Sequence, residues 1–200
     1  MRATVIIFVK APIAGRVKTR LGADVGLARA AALFRVLTAR TIAESMKGPW
    51  QTVLAVDPPS AMVGFENLWP KTLVRYPQIS GDLGARMGDA FKAVENGPVV
   101  IIGADAPGLR TRHLREAFRA LGDADTVFGP SEDGGYWLIG LARRQSAPKL
   151  FKNVRWSTKH ALADTMKTLP ANFKTRQLAR LRDIDTVKDL RVMGPRSTQN

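Results

Sequence analysis

Four cations, Lys10, Arg16, Lys18 and Arg20, fall within eleven residues that contain no acid. They belong to the stretch Phe8-Val-Lys-Ala-Pro-Ile-Ala-Gly-Arg-Val-Lys-Thr-Arg-Leu21, which turns on Pro12 and Gly15. The apolar, β-branched run Thr4–Val9 precedes it, and a helical pattern follows. Strand, glycine-bearing loop, cations and helix start, in that order, make a site for an anion, because backbone N–H groups and the helix dipole converge there. Lys10, Gly15, Arg16, Lys18 and Arg20 are therefore candidate ligands of a polyphosphate. The alternative is a solvated basic turn.

A second stretch, Val99-Val-Ile-Ile-Gly-Ala-Asp-Ala-Pro-Gly-Leu109, ends a buried strand pattern on one carboxylate, Asp105. A carboxylate at the carboxyl end of a strand, beside a phosphate loop, is placed to hold Mg²⁺ or Mn²⁺. These hard cations take oxygen ligands and bridge substrate phosphates. The competing role is an Asx turn that closes the loop. In Leu181-Arg-Asp-Ile-Asp-Thr186, Asp183 and Asp185 alternate along an extended stretch, so one of them can complete a metal site with Asp105. Asp-x-Asp-Thr is equally a good helix start, with Thr186 as the cap.

Gly129-Pro-Ser-Glu-Asp-Gly-Gly-Tyr-Trp-Leu-Ile-Gly140 sets Glu132 and Asp133 before two glycines and two aromatics. As an acceptor pocket, it would let backbone approach a ligand closely, with Asp133 gripping a hydroxyl or acting as base. As local structure, it is a hairpin turn of Asp-Gly type. Ser80-Gly-Asp-Leu-Gly-Ala-Arg-Met87 opens a helix in which Gly81, Asp82 and Arg86 could contact a base or phosphate, or Asp82 could serve only as cap. Trp156-Ser-Thr158 starts another helix and could edge the pocket. His113 and His160 lack metal-ligand spacing and read as ordinary surface or core histidines. Neither a Gly-x-Ser-x-Gly elbow, a P-loop signature nor a Gly-x-Gly-x-x-Gly fingerprint is present.

The elements that must position these residues alternate. Strand patterns cover Thr4–Val9, Thr52–Val56, Val99–Gly103, Thr126–Gly129 and Tyr136–Leu141. Helical patterns cover Ala28–Met46, Asp82–Val94, Thr111–Leu121, Thr158 to about Leu169, and Thr186–Val192. Such alternation predicts an α/β protein, a three-layer αβα sandwich around a mostly parallel sheet. Ligands of such sheets bind at the carboxyl ends of strands, where the loops after Val9, Gly103 and Gly129 should converge. Pro58–Pro77, with its four prolines, reads as irregular. Residues 1–193 are expected to form one domain, and 194–200 a flexible tail.

The chain of 200 residues carries 31 Lys and Arg against 17 acids, a net charge of +14. That balance raises nucleic-acid binding, but the excess is spread along the chain and its few aromatics do not interleave with the cations as a stacking platform would. Nucleic acid is thus not the expected partner. No apolar run is long enough to span a bilayer, and the N-terminus has no signal-peptide pattern. The absence of cysteine removes disulfides, thiolate ligands and a Cys nucleophile, and fits a cytoplasmic protein.

Taken in order, FVKAPIAGRVKTRL, GDLGARM, IIGADAPGL, GPSEDGGYWLIGL, the Trp-Ser-Thr segment and LRDIDT resemble the bacterial glycosyltransferase-like family called rSAM/selenodomain-associated transferase 1. That family is related to phospholactate guanylyltransferase and, more distantly, to molybdenum cofactor guanylyltransferase. The resemblance runs from about Val5 to Leu190. It implies a GT-A fold of the nucleotide-diphospho-sugar transferase type, in which the first loop wraps nucleotide phosphates, matching Lys10, Gly15, Arg16, Lys18 and Arg20. It also implies a metal held by Asp105 and Asp185, a base near Gly81, Asp82 and Arg86, and an acceptor facing the Glu-Asp-Gly-Gly-Tyr block.

Sugar transferases of this fold usually show Asp-x-Asp at the central metal site, whereas this chain has Gly103-Ala-Asp105. A single Asp and a four-cation loop suit nucleotidyl transfer from a triphosphate. The expectation is a metal-dependent transfer of NMP from an NTP to a small phosphorylated or hydroxylated acceptor, with Asp105, Lys18 and Asp133 as catalytic residues. A glycosyltransferase using a nucleotide-sugar at the same site is the alternative. A non-catalytic polyanion- or nucleic-acid-binding protein is the rival from another class.

Overall fold

The run Thr4–Lys10 becomes β1, and its continuous apolarity is explained by where it lies. A computed structural model describes residues 2–65, 68–94, 97–143, 150–182 and 189–190. In it, β1 is flanked on both sides in a seven-stranded sheet. Along the chain follow α1 (Thr19–Val25), α2 (Leu27–Ser45), β2 (Gln51–Asp57), α3 (Ala61–Gly64), β3 (Val74–Pro77), α4 (Leu83–Ala93) and β4 (Val99–Gly103). Then come α5 (Thr111–Asp123), β5 (Thr126–Pro130), β6 (Tyr136–Leu141), α6 (Ala161–Lys167) and β7 (Thr175–Gln177). The strand order is β3-β2-β1-β4-β6-β5-β7, and β6 alone runs antiparallel to its neighbours.

Both faces of the sheet are covered, so its strands cannot alternate apolar with polar. Val5, Ile7, Val9, Leu54 and Ile102 point to one face, where Phe34 and Ile42 of α2 and Leu114 and Leu121 of α5 meet them. Ile6, Ala55, Ile101 and Ile139 point to the other, against Met87 and Phe91 of α4 and Phe151 and Val154 of the loop before α6. The result is the expected αβα sandwich with a mostly parallel sheet.

Three elements depart from the sequence expectation. β3 lies inside the stretch expected to be irregular; it is a four-residue edge strand with Val74 56% exposed, so no buried apolar run marks it. β7 was not anticipated, because Thr-Arg-Gln on the opposite edge has no hydrophobic face; it is fixed by Asp125, which accepts from the Lys174 N–H at 2.9 Å. α6 starts at Ala161 and not at Thr158. There Thr158 makes a tight turn, accepting from the His160 N–H at 3.2 Å while its carbonyl takes the Ala161 N–H. Of the expected terminal helix only residues 189–190 are described; the tail 194–200 lies outside the described residues.

His113 is buried against Trp137, with ring centroids 5.9 Å apart, and its Nδ1 accepts the Arg110 N–H at 3.2 Å at the start of α5. Burial holds its pKa below the ordinary value. Protonation would cost this acceptor, and the unfolded chain takes the proton more readily. Stability contributed here is present above about pH 6.5 and lost as pH falls below it. The expected result is a melting temperature that drops between pH 7 and 5, with a shallower drop in His113→Asn.

Candidate active site

The carboxyl ends of β1, β2 and β4 meet at one rim of the sheet. Lys10 closes β1 directly beside Asp57, the last residue of β2, and Phe8 lies beside Gly103, the last of β4. Between β1 and α1 the loop is folded by two backbone hydrogen bonds, Ile13 N–H to Ala11 O at 2.8 Å and Arg16 N–H to Ile13 O at 2.9 Å. Val17 is driven into the core, which leaves Arg16 outside. Gly15 turns the loop with φ at +81° and does not line the cleft below.

Lys18 adopts the left-handed conformation, φ 46° and ψ 44°, immediately before α1. A non-glycine residue there is uncommon and marks a position fixed by its surroundings. Its side chain is only 4% exposed, and its ammonium lies 2.6 Å from the Asp105 carboxylate, itself 32% exposed. A cleft of about 440 Å³ opens over this pair, lined also by Lys10, Arg16, Arg20 and Ser157. Four predicted phosphate ligands and the predicted metal carboxylate are thus brought together. Because α1 is only seven residues long, side-chain charge and not a helix dipole dominates the field.

Gly81, Asp82 and Arg86 form a neighbouring group that does not line this cleft. Asp82 caps α4, accepting the Ala85 N–H at 2.8 Å. The Arg86 guanidinium donates to Gly81 O, to Asp57 Oδ2 at 3.2 Å and to Gln78 Oε1 at 3.4 Å, tying α4 to the ends of β2 and β3. Asp57 and Gln78 were missed by sequence reasoning. Asp57 had a usable signal: like Asp105, it is a carboxylate ending an apolar strand pattern ahead of proline.

The Glu-Asp-Gly-Gly block is a β5–β6 hairpin turn, closed by Ser131 N–H to Gly135 O at 3.0 Å and by Asp133 Oδ1 accepting the Gly135 N–H at 2.9 Å. Asp133 is exposed and does not line the cleft. The close backbone approach expected at the glycines is real, but its partner is this chain. At Gly134, φ +86°, a Cβ would fall 2.3 Å from Lys159 O, and Gly134 O accepts the Leu162 N–H at 3.1 Å. The two aromatics are likewise internal. Tyr136 places its hydroxyl 3.3 Å from Thr165 Oγ1, with burial pushing the phenol pKa up, and Trp137 donates to Ala179 O at 3.2 Å. Of Trp156-Ser-Thr158, which could edge the pocket, Ser157 lines the cleft and Trp156 and Thr158 do not.

Asp183 and Asp185 lie outside the described residues. The chain leading to them is placed: Leu181 bridges to Ser131 alongside β5 and packs on Gly108, three residues after Asp105. Among the described residues no cluster of three His, Cys, Asp or Glu forms a closed metal cage. No helix is long and apolar enough to cross a membrane, again among the described residues.

Residues 41–158 match the model of a family described as uncharacterized proteins conserved in bacteria, DUF2064. The chain belongs to that family. This DUF2064 chain superposes with a TM-score of 0.90 on a crystal structure from Desulfovibrio desulfuricans G20, provisionally described as a nucleotide-diphospho-sugar transferase. The two are 30% identical over 100% of this chain and 90% of that one. It is 34% identical over 59 residues to the 2-phospho-L-lactate guanylyltransferase of Methanocaldococcus sp. (strain FS406-22), a match covering 30% of this chain and about a quarter of that protein, 26%. The fold also occurs in Rv0371c of Mycobacterium tuberculosis H37Rv, solved in complex with manganese, at 15% identity and TM-score 0.56 over 96% of this chain and 97% of that one. The relatives named for an activity are transferases, so the sandwich of this DUF2064 protein is the one that the GT-A resemblance implied.

Proposed function

We propose that this protein is a divalent-metal-dependent nucleotidyltransferase that moves NMP from an NTP to a small phosphorylated or hydroxylated acceptor, releasing pyrophosphate. One observation carries the proposal: among the described residues, Lys10, Arg16, Lys18 and Arg20 share one cleft at the carboxyl ends of the strands with a single carboxylate, Asp105. A polyphosphate needs the cations, and only a ligand that also brings a divalent ion needs the carboxylate among them. The donor set fits Mg²⁺ or Mn²⁺ held by one or two carboxylates plus substrate phosphates, the usual arrangement for magnesium. Asp105 would hold it, with Asp185 as the second ligand. When bound, such an ion neutralises charge on the phosphoryl oxygens.

The rest falls to the chain. Lys10, Arg16 and Arg20 neutralise the outer phosphates and the charge that builds on departing pyrophosphate. Lys18, already poised at Asp105, donates to a phosphate oxygen once the carboxylate is engaged elsewhere. Ser157 and the segment behind it border the opening from which an acceptor oxygen must approach. No covalent intermediate is required, and positioning with charge stabilisation supplies the rate.

A second possibility, transfer of a sugar from a nucleotide-sugar at the same cleft, is favoured by the D. desulfuricans relative. A thermal-shift screen of the four NTPs and common nucleotide-sugars, with and without Mg²⁺, separates them. Ligand at 100 times its Kd stabilises by about 2.7 kcal/mol, on the order of 5–10 °C for a chain of this size. Mg²⁺-dependent stabilisation by one NTP, followed by pyrophosphate release on adding acceptor, is the expected result. Preference for a nucleotide-sugar without pyrophosphate release would establish sugar transfer. An equal response to every polyanion, indifferent to metal, would reduce the cleft to a charge patch.

A further inference from the structure

A second hollow of about 150 Å³ lies on the outer side of the first loop, between α2 and the segment 68–70. Its walls are mostly apolar, with Ala39 and Ile42 on the helix and Trp69 opposite. The Trp69 wall is preformed: the Arg75 guanidinium lies 5.8 Å from the ring centre and donates to Trp69 O at 2.7 Å. Three polar side chains line the hollow, Lys10, Arg35 and Thr38, and among the described residues no carboxylate does.

Thr38 supplies an independent sign of a missing partner. It is 3% exposed, and its hydroxyl makes no hydrogen bond. The other buried hydroxyls of α2 are satisfied: Thr41 donates to Ala104 O at 3.1 Å and Ser45 to Thr41 O at 2.8 Å. A buried hydroxyl without a partner is rare in folded proteins and calls for a reason.

We propose that this hollow binds a small apolar anion, an aryl or short alkyl body carrying one carboxylate or phosphate. An apolar cavity of about this volume accepts a molecule the size of benzene. The body would lie between Ala39, Ile42 and Trp69. The anionic head would take the charges of Arg35 and Lys10, which face no competing acid among the described residues, and Thr38, whose hydroxyl is buried within the wall, would join them by turning about its χ1 bond. Arg35, Thr38 and Trp69 do not line the Lys18–Asp105 cleft, whereas Lys10 borders both, so the hollow is a separate site that shares one cation with the nucleotide proposal.

Calorimetric titration of the full chain with benzoate, phenyl phosphate and neutral benzyl alcohol tests it. One or both anions should bind at one site per chain, at least tenfold more tightly than the alcohol, and which of the two wins tells carboxylate from phosphate. Ala39→Leu, at an exposed helix position, should fill the hollow and abolish binding with the melting temperature unchanged. Arg35→Gln should weaken the anions about tenfold and leave the alcohol unaffected. The proposal falls if neither anion saturates by about 10 mM, a limit near 3 kcal/mol of binding. It falls equally if the alcohol binds as well as the anions. Binding that survives Ala39→Leu but vanishes in Lys18→Gln would place the anion in the main cleft and overturn the assignment.

Discussion

Asp105→Asn is expected to abolish the Mg²⁺-dependent part of nucleotide stabilisation and to lower turnover by about 10²–10³-fold, the scale on which one preorganised electrostatic contact in a closed site acts, about 3–4 kcal/mol. The amide matches the carboxylate in size and keeps an oxygen for Lys18, but it removes the counter-charge of a buried ammonium, so the ligand-free variant should stay folded and melt below the parent. What is lost is the charge that a hard divalent cation requires. The measurement is pyrophosphate release at saturating NTP, beside melting curves with and without Mg²⁺. An unchanged rate in the variant would remove Asp105 from the mechanism. A lost rate with the Mg²⁺-dependent melting shift intact would assign it a role in chemistry and not in metal binding.

Gly134→Ala should be the most damaging single methyl in the β5–β6 turn. Two costs coincide there: a positive φ of +86° that an L side chain resists, and a Cβ 2.3 Å from the Lys159 carbonyl oxygen. Strain at such a backbone position costs about 1–3 kcal/mol, and forced overpacking a similar amount. A total of about 3 kcal/mol would lower the urea midpoint and reduce the melting temperature by roughly 6–12 °C. The clash is with backbone, which cannot rotate aside as a side-chain end would. Alanine at Gly122, within α5 and with nothing within 4 Å of its Cβ, is the comparison expected to cost nothing or to stabilise slightly.

Much of this molecule could be read from its residues, for identifiable physical reasons. The strands of the sheet centre announce themselves because both faces are buried, which forces runs such as TVIIFV and VVIIG. The edge strands β3 and β7 are silent because they bury little, so no hydrophobic rule governs their composition. The grouping of the loop cations with Asp105 was legible because each stands just past a strand-like run, and the topology brings those strand ends together in one cleft. Asp133 misled. Asp-Gly-Gly-Tyr-Trp satisfies a ligand-facing turn and a self-packing hairpin equally well, and only the structure shows that Gly134 packs on Lys159 while Asp133 stays exposed. Asp57 and Gln78 went unnoticed because their partner, Arg86, is 29 and 8 residues away and pairing across that distance leaves no local pattern.

Among the described residues the main cleft holds four cations and one acid, on a chain whose overall charge is +14. Such a field acts first on the speed of encounter. Anions drifting past the strand ends are steered inward, which can raise capture rates by about 10–10³-fold, and the gain fades as added salt shortens the Debye length from about 10 Å at 0.1 M to 3 Å at 1 M. Departure is governed by contacts inside the cleft and should respond far less. Under the proposed function, the strong basicity of this chain would have its meaning in kinetics: it would set how fast a nucleotide is caught in dilute solution, while the Lys18–Asp105 neighbourhood would decide what is kept.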